Sequence, residues 1–106
     1  MIVREPKTKK KVGPMQITEY KINEKFSAAL IKINGDHGAI KCIAEDRIYF
    51  VIEGSGDFII DNKTIRVKEN DLVFIPMNTP YNVTGKMKYI IVCSPAFDPK
   101  HDVRLG

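Results

Sequence analysis

The sequence has no tryptophan, two histidines, two cysteines and only nine aromatic residues, four tyrosines and five phenylalanines, among 106 residues. The cysteines, Cys42 and Cys93, each sit inside an apolar strand-like run, which fits buried reduced thiols and excludes a disulfide framework. Long apolar runs are also missing. The segment YIIVC at residues 89–93 is far too short to span a bilayer, and the opening MIVREPKTKKK lacks the apolar stretch of a secretion signal. These absences predict a soluble, cytoplasmic chain with no membrane partner. Apolar residues spaced three and four apart are hard to find, so long helices are not expected. There is no internal repeat, low-complexity segment or linker, and 106 residues suffice for one core.

Basic residues are in excess, with a net charge of +4 and a pI near 9.1. Apart from Lys9, Lys10 and Lys11 they are scattered among acidic ones, and no stretch interleaves them with aromatics as a nucleic-acid platform would. The lysine run reads as a solvated arm, and no nucleic-acid partner is expected. The expected organisation is a basic arm over residues 1–14 and one β-domain over residues 15–106.

The periodicity that is present is that of strands. Residues 16–22 and 26–34 flank a turn at Asn23-Glu24-Lys25, and residues 34–38 form the next break. In residues 39–44, Ile40, Cys42 and Ala44 share one face. In residues 47–53, Arg47, Tyr49 and Val51 alternate with Ile48, Phe50 and Ile52, so both faces demand cover. Further strands are expected at residues 57–60, 64–67, 72–75, 81–84 and 87–93. They are separated by a bend at Gly54-Ser55-Gly56, a hairpin at Asp61-Asn62, a turn at residues 68–71, a loop at residues 76–80 and a turn at Gly85-Lys86. Many short strands at such spacing predict an all-β sandwich or barrel.

The segments RIYFVIEGSG at residues 47–56 and NDLVFIPMNTPYNV at residues 70–83 resemble the two linked motifs of the cupin superfamily, over roughly residues 38–95. The resemblance implies a double-stranded β-helix jelly roll. It departs from the family pattern at Asn70 and Asn78, where glycine is usual. It departs also at every metal-ligand position: Ile40 and Cys42 stand for a histidine pair, Arg47 for a glutamate and Tyr81 for a third histidine. Ile40 offers no lone pair and Arg47 is cationic, so neither a metal nor another cofactor is expected there. His37, in a glycine-flanked turn, and the tail group Asp98, His101 and Asp102 are residual candidates that read as surface residues. The ending SPAFDP at residues 94–99 is similar to the tail of small cupins related to mannose-6-phosphate isomerases.

Arg47 can enter the barrel and meet an anion, or bury its stem and reach solvent beside Glu45, Asp46 or Glu53. The second placement is the expectation. The expected function is metal-free binding of a small anionic sugar or carboxylic acid, with Arg47 and Tyr81 as polar anchors and Ile40, Cys42 and Val51 as the apolar wall. His37, Glu45 and Tyr49 are further candidates for a polar mouth. Two alternatives stand beside this. One is a sugar or sugar-phosphate isomerase or epimerase, which needs a pocket base; the other is a structural protein with a filled barrel. The outward Ile48, Phe50 and Ile52 predict a homodimer, with the segment up to Ile22 crossing to the partner's sheet edge.

Overall fold

In a computed structural model, which describes residues 1–4 and 7–106, the described residues form nine β-strands and a single 3-10 turn. The strands are β1 (Lys7–Val12), β2 (Met15–Lys21), β3 (Ser27–Asp36), β4 (Ile40–Cys42), β5 (Asp46–Ile60), β6 (Lys63–Lys68), β7 (Leu72–Ile75), β8 (Pro80–Ser94) and β9 (Asp102–Arg104). All are antiparallel neighbours in one hydrogen-bonded sheet that curls on itself. It is the all-β jelly roll that the strand spacing and the motif resemblance imply.

Two long strands make the curl. β5 and β8 pair along nearly their whole length, from Asp46 opposite Ser94 to Ile60 opposite Tyr81. The first half of β5 also pairs with β7, and its second half with β6. β3 and β2 extend the sheet beyond β8 at one end, while β4 and β9 extend it at the other. The bend expected at Gly54-Ser55-Gly56 and the turn expected at Gly85-Lys86 are therefore both kinks inside continuous strands. A register shift between Val51 and Glu53, together with Gly54 at φ 83° and Gly85 at φ 135°, bends the pair without ending it. Gly56 and Gly85 are cross-strand partners, and a Cβ on Gly85 would lie 2.5 Å from Gly56 Cα. A hairpin turn at Gly85-Lys86 would need a chain reversal, and the long ladder with β5 leaves no reason for one.

The turns that do reverse the chain follow their residue chemistry. Asp61 and Asn62 both take positive φ, 49° and 67°, as a two-residue hairpin with right-handed strand twist requires. Asn70 and Asn78, the departures from glycine, also take positive φ, at 72° and 65°. Asparagine is the side chain that best tolerates that region, so these substitutions leave the backbone path unchanged. The Asn23 side chain accepts from the backbone N–H of Lys25 and Phe26, which sets the β2–β3 turn.

Lys9, Lys10 and Lys11 do not form a free arm. They are exposed positions of β1, which pairs with β2 through a tight turn at Gly13 and Pro14, and Lys10 forms an ion pair with Glu19 of β2. β2 in turn pairs with β3, so β1 and β2 extend the sheet of their own chain.

The register defines what lies inside. Inward rungs run Ile17, Ile31, Tyr89, Val51 and then Glu19, Ala29, Ile91, Tyr49, Val73. Phe58, Val51 and Val83 are fully buried, with Tyr89, Ile40 and Ile75 at 1% exposure. No helix among the described residues is long and apolar enough to cross a membrane.

Candidate ligand cavity

Alternation along β5 turns Arg47, Tyr49 and Val51 inward, as the sequence pattern predicts. The expectation that Arg47 reaches solvent is overturned, since it is 2% exposed. Its Nε and Nη2 donate to Glu45 Oε1 at 3.3 and 3.0 Å, Nη2 also donates to Asp102 Oδ1 at 2.8 Å, and Nη1 donates to the Tyr81 hydroxyl at 2.9 Å. A desolvated guanidinium is tolerable only with such partners. Asp102 reaches it from 55 positions along the chain, a proximity that local sequence does not carry.

Glu45, with no exposed surface, is the hub. Its second oxygen, Oε2, accepts from the backbone N–H of Asp98 at 2.9 Å and lies 2.7 Å from Nδ1 of His101. One buried carboxylate thus ties the closing segment, residues 95–105, to the start of β5. That segment is held further by Phe97 N–H donating to Ser27 Oγ, and by β9 pairing with β4. Asp98 caps the 3-10 turn Pro99–His101 by accepting from Lys100 N–H. The tail group is therefore a latch. Among the described residues no three His, Cys, Asp or Glu side chains converge as metal ligands.

A cavity of about 820 Å³ opens inside the curled sheet. Met15, Ile17, Ile31, Ile40, Tyr89 and Ile91 supply its apolar wall; His37, Arg47, Tyr49 and Asp102 supply polar groups; Phe97 and Arg104 stand at its rim. Of the five residues expected to hold a ligand, Arg47 and Ile40 line it. Tyr81, Cys42 and Val51 are buried behind the wall and do not. Tyr81 nonetheless belongs to the same cluster, for it is the backbone partner of Ile40 and the hydrogen-bond partner of both Arg47 and Tyr49. Of the four positions aligned with metal ligands, Tyr81 pairs with Ile40 and meets Arg47, a guanidinium that would repel a divalent cation.

His37 is not a surface residue of a loop. It lines the cavity and stacks near Tyr81, with ring centroids 6.4 Å apart. Its Nδ1 lies 2.8 Å from the carbonyl oxygen of Gly38, so Nδ1 carries the proton and Nε2 is left as an acceptor. Burial, reinforced by the Arg104 and Arg47 charges, lowers its pKa below the usual histidine value despite the opposing bond to Gly38 and the charge of Asp102. Burial also holds the Tyr49 and Tyr81 phenols above their ordinary pKa, so both stay protonated near neutrality. It pushes the Cys93 thiol up to about 12.

Sequence reasoning did not single out Met15, Ile17, Ile31, Tyr89 or Ile91 as cavity wall. Their alternation along β2, β3 and β8 is a signal that one face is inward, which stops short of saying that it faces a space. Phe97 and Arg104, in an aperiodic tail, carry no such signal.

Fold and cavity together define a small single-barrel cupin. Residues 16–94 match the family described as the cupin domain of mannose-6-phosphate isomerase, and the chain belongs to that family. Similar solved structures include Streptomyces PAC13 with uridine, at 18% identity over 95% of this chain and 85% of that one, with a TM-score of 0.88. A PAC13 structure is described as that of a unique nucleoside dehydratase. KdgF from Halomonas sp. is similar at 16% identity over 92% of this chain and 94% of its own, TM-score 0.81, and an RmlC-like cupin from Shewanella frigidimarina at 17% over 92% of each, TM-score 0.79. At such identities the likeness is one of fold. An uncharacterized protein of Methanocaldococcus jannaschii is 26% identical over 74 residues, which span 68% of this chain and 59% of that protein.

Proposed function

We propose that the chain is a small-molecule-binding barrel that works without a metal and takes a neutral ligand of sugar or nucleoside size in the cavity. The observation that carries this is the cavity itself. Its volume of about 820 Å³ falls in the usual range of ligand pockets, roughly 300–1,000 Å³. An apolar wall with a few polar groups at one end is the ordinary design of such a site. A filled structural barrel does not fit this interior. The metal-free reading is supported by Arg47, whose charge occupies the centre of the polar cluster.

The ligand expected from sequence, an anion held by Arg47, loses its footing. Glu45 and Asp102 already meet the guanidinium with two carboxylates, so the cluster has no surplus positive charge to offer. Neutral hydroxyl- or carbonyl-bearing molecules fit better. The PAC13 structure holding uridine is consistent with that class.

A second reading, proton-transfer chemistry of the isomerase or epimerase type, gains from His37. A neutral imidazole with a free Nε2 beside a buried phenol is an acid–base pair in outline. A thermal-shift panel of neutral sugars and nucleosides with their acidic and phosphorylated counterparts tests the first reading. Stabilisation by neutral members is expected, and the absence of any shift at millimolar concentration would sink it. Turnover of a stabilising compound, abolished in His37→Gln, would favour the second.

A further inference from the structure

The hydrogen-bonded chain from Arg47 through the two buried phenols holds more hydrogens than phenol oxygens. Three hydrogens meet there, one on Arg47 Nη1, one on the Tyr81 hydroxyl and one on the Tyr49 hydroxyl, with only the two phenol oxygens to receive them. The Tyr49 and Tyr81 oxygens are 2.6 Å apart, so one of them donates to the other. Two arrangements are possible, and the lining of the cavity separates them. If Tyr49 donated to Tyr81, the Tyr81 proton would be stranded, because Tyr81 does not line the cavity and makes no other side-chain hydrogen bond among the described residues. If Tyr81 donates to Tyr49, the chain runs Arg47 to Tyr81 to Tyr49, and the leftover proton is on Tyr49, which does line the cavity.

We propose that Tyr49 is the ligand-facing donor of this protein, at the end of a relay from the Arg47 guanidinium through Tyr81, and that the ligand offers it a neutral oxygen acceptor of the carbonyl or ring-ether class. This rests on the reading of the cavity as a ligand site. The relay starts at a cation, and hydrogen bonds in series polarise one another, so the terminal O–H is a stronger donor than an isolated phenol. A charged acceptor gains little from Arg47, because Glu45 and Asp102 already meet its charge. The edge-on packing of Tyr49 against Phe58 and Tyr89, with centroids 5.0 and 5.2 Å apart, fixes the ring and so the direction of its hydroxyl. The residue picked from the motif, Tyr81, thus acts through Tyr49.

Neutron diffraction from crystals exchanged into deuterium oxide tests the relay without any ligand. The Tyr81 deuteron is expected between the two phenol oxygens and the Tyr49 deuteron in the cavity. A Tyr49 deuteron lying between the two oxygens overturns the proposal. Calorimetry with uridine as probe tests the acceptor. Tyr49→Phe is expected to weaken binding about tenfold, and Tyr81→Phe, which keeps the Tyr49 hydroxyl, by clearly less. Equal affinity for wild type and Tyr49→Phe overturns the donor role even if the cavity binds uridine. A wild type that binds none of the thermal-shift panel overturns the cavity reading and the ligand half of this proposal together, while the neutron result still decides the proton placement.

Discussion

Arg47 carries its charge into a site that is 2% exposed, and every stabilising contact it makes there is also an obligation. Arg47→Ala would leave Glu45 buried without its cation, and a loss of about 3–5 kcal/mol is expected in urea unfolding. A loss below about 1 kcal/mol would mean that the cluster is solvated. His37 gives a pH dependence of known sign. Its folded pKa is depressed, so its contribution to stability is full above the unfolded value near 6.5 and is lost as pH falls through the folded value. Stability should fall on acidification below about pH 6.5, less steeply in His37→Gln; an unchanged slope would show that another group titrates. At this scale part of the motif was legible, because Tyr81 is the strand partner of Ile40 and the hydrogen-bond partner of Arg47. The depth of Arg47 was not, because its partner Asp102 lies in a tail with no periodicity.

At the scale of elements, the long β5–β8 pair depends on two glycines that face each other. Gly85→Ala puts a Cβ 2.5 Å from Gly56 Cα at a residue with φ 135°, and a loss of about 2–4 kcal/mol or failure to fold is expected. Gly13 is the control. It also has positive φ, 53°, but open space around it, so Gly13→Ala should cost about 1–2 kcal/mol by denaturant melt. Equal losses would show that backbone angle alone matters. Strand positions were readable because alternation and turn residues are local. Glycine marks the bend at residues 54–56 and equally the turn expected at Gly85-Lys86, and only the opposing strand tells a bend from an end.

For the whole molecule, the outer face of the first half of the sheet is apolar across several strands. Ile48 and Phe50 of β5 pair with Phe74 and Leu72 of β7 on one side and with Val92 and Ile90 of β8 on the other. Exposures of 40%, 38%, 54%, 64% and 38% for Ile48, Phe50, Phe74, Leu72 and Ile90 leave a patch larger than isolated apolar residues explain. A dimer through this face is the expected state, with a mass twice 12.0 kDa in light scattering. Phe50→Glu should return the monomer mass, and a wild-type mass near 12.0 kDa would reject the dimer. Elemental analysis after dialysis is expected to show no stoichiometric transition metal, and about one equivalent per chain would overturn the metal-free reading.

The sequence by itself determined the fold class, the inward and outward faces of β5, the asparagine turns and the replacement of metal donors, because each is written in residue type and short spacing. Tertiary structure decided the rest. It placed β1 on β2 and drew the tail across the barrel to Glu45 and Arg47. It also left a space between inward faces that alternation alone describes as core. Burial, charge pairing and cavity shape depend on residues brought together from distant parts of the chain, and those meetings have no local sequence signature.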